Sequence, residues 1–161
     1  MRRLARLSAR STLLLLLLLA GAAFAQARFE FRTAPGNLSK DVVPSRYRIA
    51  FDLDPTKDTF SGAVSIALRI ASAVPSFEIH AHELNAASAV LTAANGSARP
   101  LRVQPGKLLQ SWRLAPSDES AFEAGDYVLR IEYSGRVQNT GSGLFRVPYA
   151  VRGQPEVMLA T

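Results

Sequence analysis

Both histidines of the chain lie in one short stretch, FEIHAHELNAA, residues 77–87. His82-Glu83 begins like the H-E-x-x-H signature, in which two histidines one helical turn apart bind zinc beside a glutamate base. Here the fifth position is Ala86, and the chain has no third histidine and no cysteine. Apolar and polar residues also alternate along residues 77–82, a period typical of a strand and not of a helix. The stretch therefore lacks both the ligands and the backbone of a catalytic zinc motif.

A second metal site is compatible with a strand. Residues two apart share one face of a strand, so Glu78, His80 and His82 would lie side by side. Two histidines and a carboxylate can bind zinc. The alternative, which we favour, is that the apolar residues between them face the core and these three face solvent, as is usual in antiparallel sheets. We therefore assign no metal, catalytic or substrate-binding residue in this chain, and we expect it to hold no cofactor.

Three further patterns do not indicate a site. A nucleophilic serine needs a histidine partner, yet no G-x-S-x-G segment occurs and both histidines share one strand. Gly141-Ser142-Gly143 resembles a phosphate nest but lacks the rest of a phosphate-binding loop, so we predict a loop tip. A calcium site would use Asp52, Asp54 and Asp58. This group lacks the glycine and the terminal glutamate of a calcium loop, and we interpret it as part of a turn.

The first 25 residues have the features of a secretory signal peptide. Four arginines precede the apolar run STLLLLLLLAGAAF, and Ala23-Phe24-Ala25 forms an A-x-A cleavage site. The run is shorter than the roughly 20 residues that a membrane span requires, which favours cleavage over a retained anchor. We predict that residues 1–25 form a helical signal peptide. The mature chain would then be exported to the periplasm or the extracellular space.

The charge of the chain resides largely in this leader. The chain of 161 residues has 19 Lys and Arg against 13 Asp and Glu, a net charge of +6. Four of these cations lie in residues 1–25, which leaves 15 against 13, or +2, for residues 26–161. No basic cluster with interleaved aromatics occurs, so we expect no nucleic-acid partner. Without cysteine, the domain must be stabilised by an apolar core alone.

Short alternating segments with turns between them predict an all-β fold. After a flexible lead-in at 26–40, SRYRIAFDLD alternates with Tyr47, Ile49, Phe51 and Leu53 on the face expected to be buried. Asn95-Gly96 predicts a hairpin, Gly62 a bulge, LFRVPYAV irregular extended chain, and PEVMLAT the start of a strand. Eight or nine such strands and no helical stripe indicate an antiparallel β-sandwich over residues 41–161.

Several segments together resemble the N-terminal domain of the aminopeptidase N family of zinc metallopeptidases. The opening matches a Val-x-Pro-x-x-Tyr strand, an Asp-Pro turn and a Phe-x-Gly-x-Val-x-Ile strand through Val42, Pro44, Tyr47, Asp54, Pro55, Phe60, Gly62, Val64 and Ile66. FEIHAHEL is similar to a family strand through His80, Ala81 and Leu84, with Ile79 in place of leucine. The end is similar through Gly125, Tyr127, Leu129, Ile131, Tyr133, Gly135, Gly143, Leu144, Arg146, Tyr149, Met158 and Thr161, while Phe145 and Val147 depart conservatively.

This resemblance covers roughly residues 38–161 and implies a particular role. His80 would correspond to a structural strand histidine. The family's zinc-binding helix and exopeptidase loop come after the matched part, so no active-site residue can be transferred to this chain. The resemblance implies a non-catalytic fragment of an exported aminopeptidase that removes N-terminal residues from peptides, with zinc bound by the intact enzyme. Its partner would be the catalytic domain of the same polypeptide. The alternative is a free-standing periplasmic β-sandwich that binds a partner or ligand.

Overall fold

The computed structural model describes residues 29–161, so the predicted signal peptide lies outside the described residues. Within the described chain, residues 29–35 contain a turn in which the Thr33 and Ala34 N–H groups donate to the Glu30 carbonyl. Residues 36–161 form a separate compact unit that carries all the strands. The described part of the predicted lead-in, residues 29–40, contains no strand.

Nine strands alternate with turns along this unit. They are β1 (Val42–Asp52), β2 (Thr59–Ile70), β3 (Phe77–His80), β4 (Leu84–Ala93), β5 (Ala98–Pro105), β6 (Ser111–Pro116), β7 (Gly125–Arg136), β8 (Phe145–Val151) and β9 (Gln154–Ala160). Residues 29–161 contain no helix, and accordingly no helical segment there has the length and apolarity to cross a membrane. The predicted all-β class is confirmed.

Seven strands form one antiparallel sheet in the order β1-β2-β7-β4-β5-β6-β3. The sheet curls at β5, whose residues Ala98–Pro100 pair with β4 while Leu101–Pro105 pair with β6. The two layers predicted for a sandwich are therefore parts of one curled sheet. Strand β5 connects them, because each of its halves hydrogen-bonds to a different neighbour.

The inner face of the curl encloses the core. Ile66 on β2 and Leu129 on β7 pack in one buried cluster with Phe77 on β3 and Leu114 on β6. Phe122, in the loop before β7, adds a ring whose centroid lies 5.3 Å from that of Phe77. Burial of such side chains contributes about 1.5–3 kcal/mol each. Strands β2 and β7 are thus held against β3 and β6 by apolar contact.

The hairpin predicted at Asn95-Gly96 is present and joins β4 to β5. Gly96 has a φ of 84°, and its N–H donates to the Ala93 carbonyl at 2.9 Å. The bulge predicted at Gly62 is wrong, since this residue pairs regularly with Phe51 and Tyr133 on its two sides. A Cβ at Gly62 would lie 2.8 Å from the Tyr133 ring, so the glycine admits a side chain from the neighbouring strand.

The irregular chain predicted for LFRVPYAV is also wrong. It is strand β8, which pairs along its whole length with β9. Arg152 and Gly153 form the turn with φ angles of 51° and 80°, the left-handed values that tight hairpins require. Phe145, at the start of β8, also forms a bridge to Gln138 on the other side. Pro148 is accommodated because its part of β8 pairs with β9 only.

The apolar face of β1 is more exposed than its pattern predicts. Tyr47, Ile49 and Phe51 pair with Ile66, Val64 and Gly62, so they share the inner face of the sheet. They remain 57%, 52% and 57% exposed. Strand β1 is the edge of the sheet, and at these three positions its inner face is only partly covered.

Candidate functional site

The first candidate group, Glu78 with the two histidines, does not form a metal site. Strand β3 ends at His80, and His82 lies beyond it in a bend. The interpretation that one strand face presents all three side chains therefore fails at its end. Within residues 29–161, no set of three His, Cys, Asp or Glu side chains is placed to hold a metal ion. Glu78, His80 and His82 are therefore not gathered into one ligand set.

Glu78 instead organises the loop between β5 and β6. Its carboxylate accepts hydrogen bonds from the backbone N–H of Lys107 at 2.9 Å and of Leu108 at 3.2 Å, and from the Ser111 hydroxyl at 2.9 Å. These donors hold the pKa of the Glu78 carboxyl below its usual range, with the Lys107 N–H as the largest cause. The carboxylate thus connects β3 to the loop between β5 and β6.

His82 and Glu83 lie at the rim of a cavity at one end of the sheet. Glu83 has a φ of 53°, a left-handed backbone that is uncommon for a residue with a side chain. Its carboxylate accepts a hydrogen bond from the Gln138 amide at 2.6 Å and lies 3.8 Å from His82 Nε2. Both rim side chains are more than half exposed. The turn after β3 is therefore fastened to the segment that follows β7.

This rim surrounds a cavity of about 390 Å³ at one end of the sheet, called here the end cavity. The cavity forms where β1 and β7 end, where β2 and β4 begin, and where the loop after β7 folds back. Its apolar wall contains Phe51, Phe60, Leu84, Tyr133 and Leu144, and its polar rim contains His82, Glu83, Arg136, Gln138, Thr140, Ser142 and Thr161. A volume of this size is typical of small-ligand sites.

Aromatic rings build the wall of the end cavity. The Phe60 ring centroid lies 6.2 Å from that of Phe51 and 6.5 Å from that of Tyr133, the second pair edge-to-face. Burial raises the pKa of the Tyr133 phenol, so this hydroxyl stays protonated. The wall can contact an apolar group, while the rim offers hydrogen bonds.

The remaining sequence candidates do not converge on a site. Asp54 accepts from the N–H and hydroxyl of Thr56, Asp58 pairs with Arg146 at 2.5 Å, and Asp52 accepts from Ser61. Gly143, with a φ of 65°, and Ser142 belong to the loop at the end cavity. No sequence pattern indicated this cavity, because its walls come from five separate segments and no single segment carries a signal.

A comparison with protein-family models identifies the family of this chain. Residues 43–161 match the family model of the peptidase M1 N-terminal domain, a range that contains all of β2 to β9 and all of β1 except Val42. None of the curated proteins compared with the chain matches it significantly. The resemblance inferred from the sequence motifs is confirmed by the family match.

Proposed function

The chain belongs to the peptidase M1 family through its N-terminal domain, and on that premise we propose that it is the scaffold domain of an exported zinc aminopeptidase. The match over residues 43–161 carries this proposal. In that role the domain packs beside the catalytic domain of the same polypeptide and forms one wall of a cleft that receives peptide N-termini. The chemical step, in which a zinc ion activates water, is supplied outside residues 29–161.

The residues that resemble the family pattern support a scaffold role, because they hold the fold together. Gly62 and Gly135 make room for aromatic rings of neighbouring strands. The Tyr127 hydroxyl donates to the Glu123 carbonyl at 2.9 Å. Arg146 fastens the start of β8 to the turn between β1 and β2, through the Pro55 carbonyl at 3.1 Å and the Asp58 carboxylate at 2.5 Å.

Export is the second part of the proposal and rests on the sequence of residues 1–25. The arginine-rich start, the apolar run and the A-x-A site favour cleavage after Ala25. N-terminal sequencing of the protein recovered from a secretion-competent host tests it, and the expected first residue is Gln26. A first residue of Met1 would contradict export by cleavage.

A second function is favoured by one observation, the end cavity. A free-standing periplasmic module would use its aromatic wall and polar rim to bind a small ligand. Phe60 and Tyr133 would supply contact area, and Glu83 and Gln138 would supply hydrogen bonds. Ligand binding by the isolated chain that is lost in Tyr133→Ala but kept in Tyr149→Ala would favour this function.

Activity measurements test the scaffold proposal directly. The exported protein is purified after its leader has been removed. It is then incubated with aminoacyl-anilide substrates in the presence and absence of zinc. The expected result is no release above a mock purification, since the described residues supply neither a ligand set nor a nucleophile–base pair. Zinc-dependent release that copurifies with the chain would contradict the proposal.

A further inference from the structure

The outer edge of strand β1 has features that allow it to pair with a further strand. It is the edge of the seven-stranded sheet, so within residues 29–161 no strand pairs with its outer side. It has 11 residues, which is long for an edge. Pro44 and a register shift between Pro44 and Arg46 interrupt the start of β1, as is common at protected edges. Residues 46–52 contain neither lysine nor proline. This second part of the edge is open to a further strand.

The apolar stripe of β1 lies along the same edge. Tyr47, Ile49 and Phe51 face the core side of the sheet but stay more than half exposed. A strand added at this edge would continue the inner face and place side chains directly beside the stripe. The stripe therefore favours a partner strand that has its own apolar residues at alternate positions.

Two arginines on β1 determine the charges that a pairing strand should carry. Arg46 and Arg48 project from the opposite face of β1 and have no ion-pair partner in the described chain. Asp52 lies on that same face and accepts only a 3.4 Å hydrogen bond from Ser61. A matching strand should therefore bring a carboxylate to an arginine and an arginine to Asp52.

We propose that β1 pairs antiparallel with β1 of a second copy of this chain, with the two-fold axis at Ile49. In this register Arg46 stands opposite Asp52 of the second copy, Tyr47 opposite Phe51, and Ile49 opposite itself. A shift of one residue would place the inner face of one copy against the outer face of the other. A shift that centres the pairing on Arg48 would oppose like charges.

The pairing forms a closed dimer with two-fold symmetry. Because the same surface is used by both copies, it forms a dimer and leaves no free β1 edge for further addition. The result is a continuous sheet of 14 strands, twice the seven of one copy. The ion pair and the aromatic pair each occur twice across the axis, which makes the strand self-complementary.

The test is a charge-reversal series on the full chain, studied by sedimentation equilibrium. Arg46→Asp and Asp52→Arg alone should each weaken dimerisation by about tenfold or more, as is typical when a close interfacial charge pair is lost or reversed. The double variant should restore dimerisation to near the original affinity. Within one chain the two positions are about 20 Å apart along the strand, so a rescue reports pairing between copies.

Two controls distinguish pairing through β1 from association through another surface or from misfolding. Arg152→Asp, in the exposed turn between β8 and β9, changes the same charge elsewhere and should leave dimerisation unchanged. Circular dichroism melts verify that each variant folds. A wild-type chain that stays monomeric up to about 100 µM, the range in which weak Kd values are detected, would overturn the proposal. So would a dimer that responds to Arg152→Asp, or single reversals that the double variant fails to rescue.

Discussion

The Phe60 ring of β2 lies directly on Gly135, its partner on β7. A Cβ at Gly135 would come within 2.6 Å of the ring and 2.9 Å of a Leu84 methyl carbon. The glycine thus makes the space that Phe60 occupies between β7 and the end cavity.

Gly135→Ala should therefore destabilise the protein. The added methyl group must displace the Phe60 ring, and overpacking of this kind costs about 1–3 kcal/mol. Chemical denaturation measures the loss. Gly141→Ala is the matched control, since its Cβ would meet nothing within 4 Å. Equal stability of the two variants would show that Phe60 is not held against Gly135.

Glu78→Gln should lower the melting temperature and should flatten its dependence on acid, because the neutral amide replaces the carboxylate that accepts three hydrogen bonds. Hydrogen bonds keep the folded-state pKa of Glu78 below its ordinary value of 4.5. The stabilisation is thus fully present above pH 4.5 and is lost as the pH falls through the lower folded pKa. Melts between pH 3 and pH 7 compare the two proteins, with Glu156→Gln as an exposed control. Identical pH profiles would exclude the role of Glu78 in the loop.

Arg146→Met should loosen the hairpin more than the sheet. The guanidinium connects β8 to the Pro55 carbonyl and to Asp58, and both contacts are lost when methionine replaces it. Its Nη2 is buried without a partner, which reduces the net gain. Hydrogen exchange should quicken in residues 145–160 and stay unchanged in β7. Uniform quickening would indicate that the contact stabilises the whole domain instead.

The chain should not bind zinc tightly through its histidines. Glu78 is occupied by three donors, and His80 and His82 are exposed on either side of the end of β3. A zinc site needs oriented ligands supported by further hydrogen bonds. Calorimetric titration should show no sub-micromolar site. Tight binding that disappears in a His80→Ala, His82→Ala double variant would contradict this expectation.

The sequence predicted the strands well where alternation and turn residues agree. The strand predicted from SRYRIAFDLD, which is β1, and the Asn95-Gly96 hairpin are examples, because local pattern and pairing point the same way. It failed at β8, because a proline within a short segment argues against a strand, yet Pro148 lies where β8 pairs with β9 only. It also failed for the stripe on β1, since alternation shows which residues share a face but not whether another layer covers that face.

The candidate site was less predictable than the fold. The pattern at Glu78, His80 and His82 suggested a metal site on one strand. In the structure, the Glu78 carboxylate instead accepts hydrogen bonds from a loop about 30 residues away in the sequence. The end cavity depends on Phe51, Leu84 and Gln138 meeting from distant segments. Such convergence follows from the order of strands in the sheet, which a local pattern does not specify.

Reading the coding DNA beyond codon 161 tests the central claim most directly. A scaffold domain of a zinc aminopeptidase requires a catalytic domain on the same polypeptide. The expected result is an open frame that continues from Thr161 into a segment with an H-E-x-x-H motif, the zinc-binding pattern that residues 1–161 lack. A stop codon directly after Thr161 in the intact gene would contradict the scaffold role and favour the free-standing module.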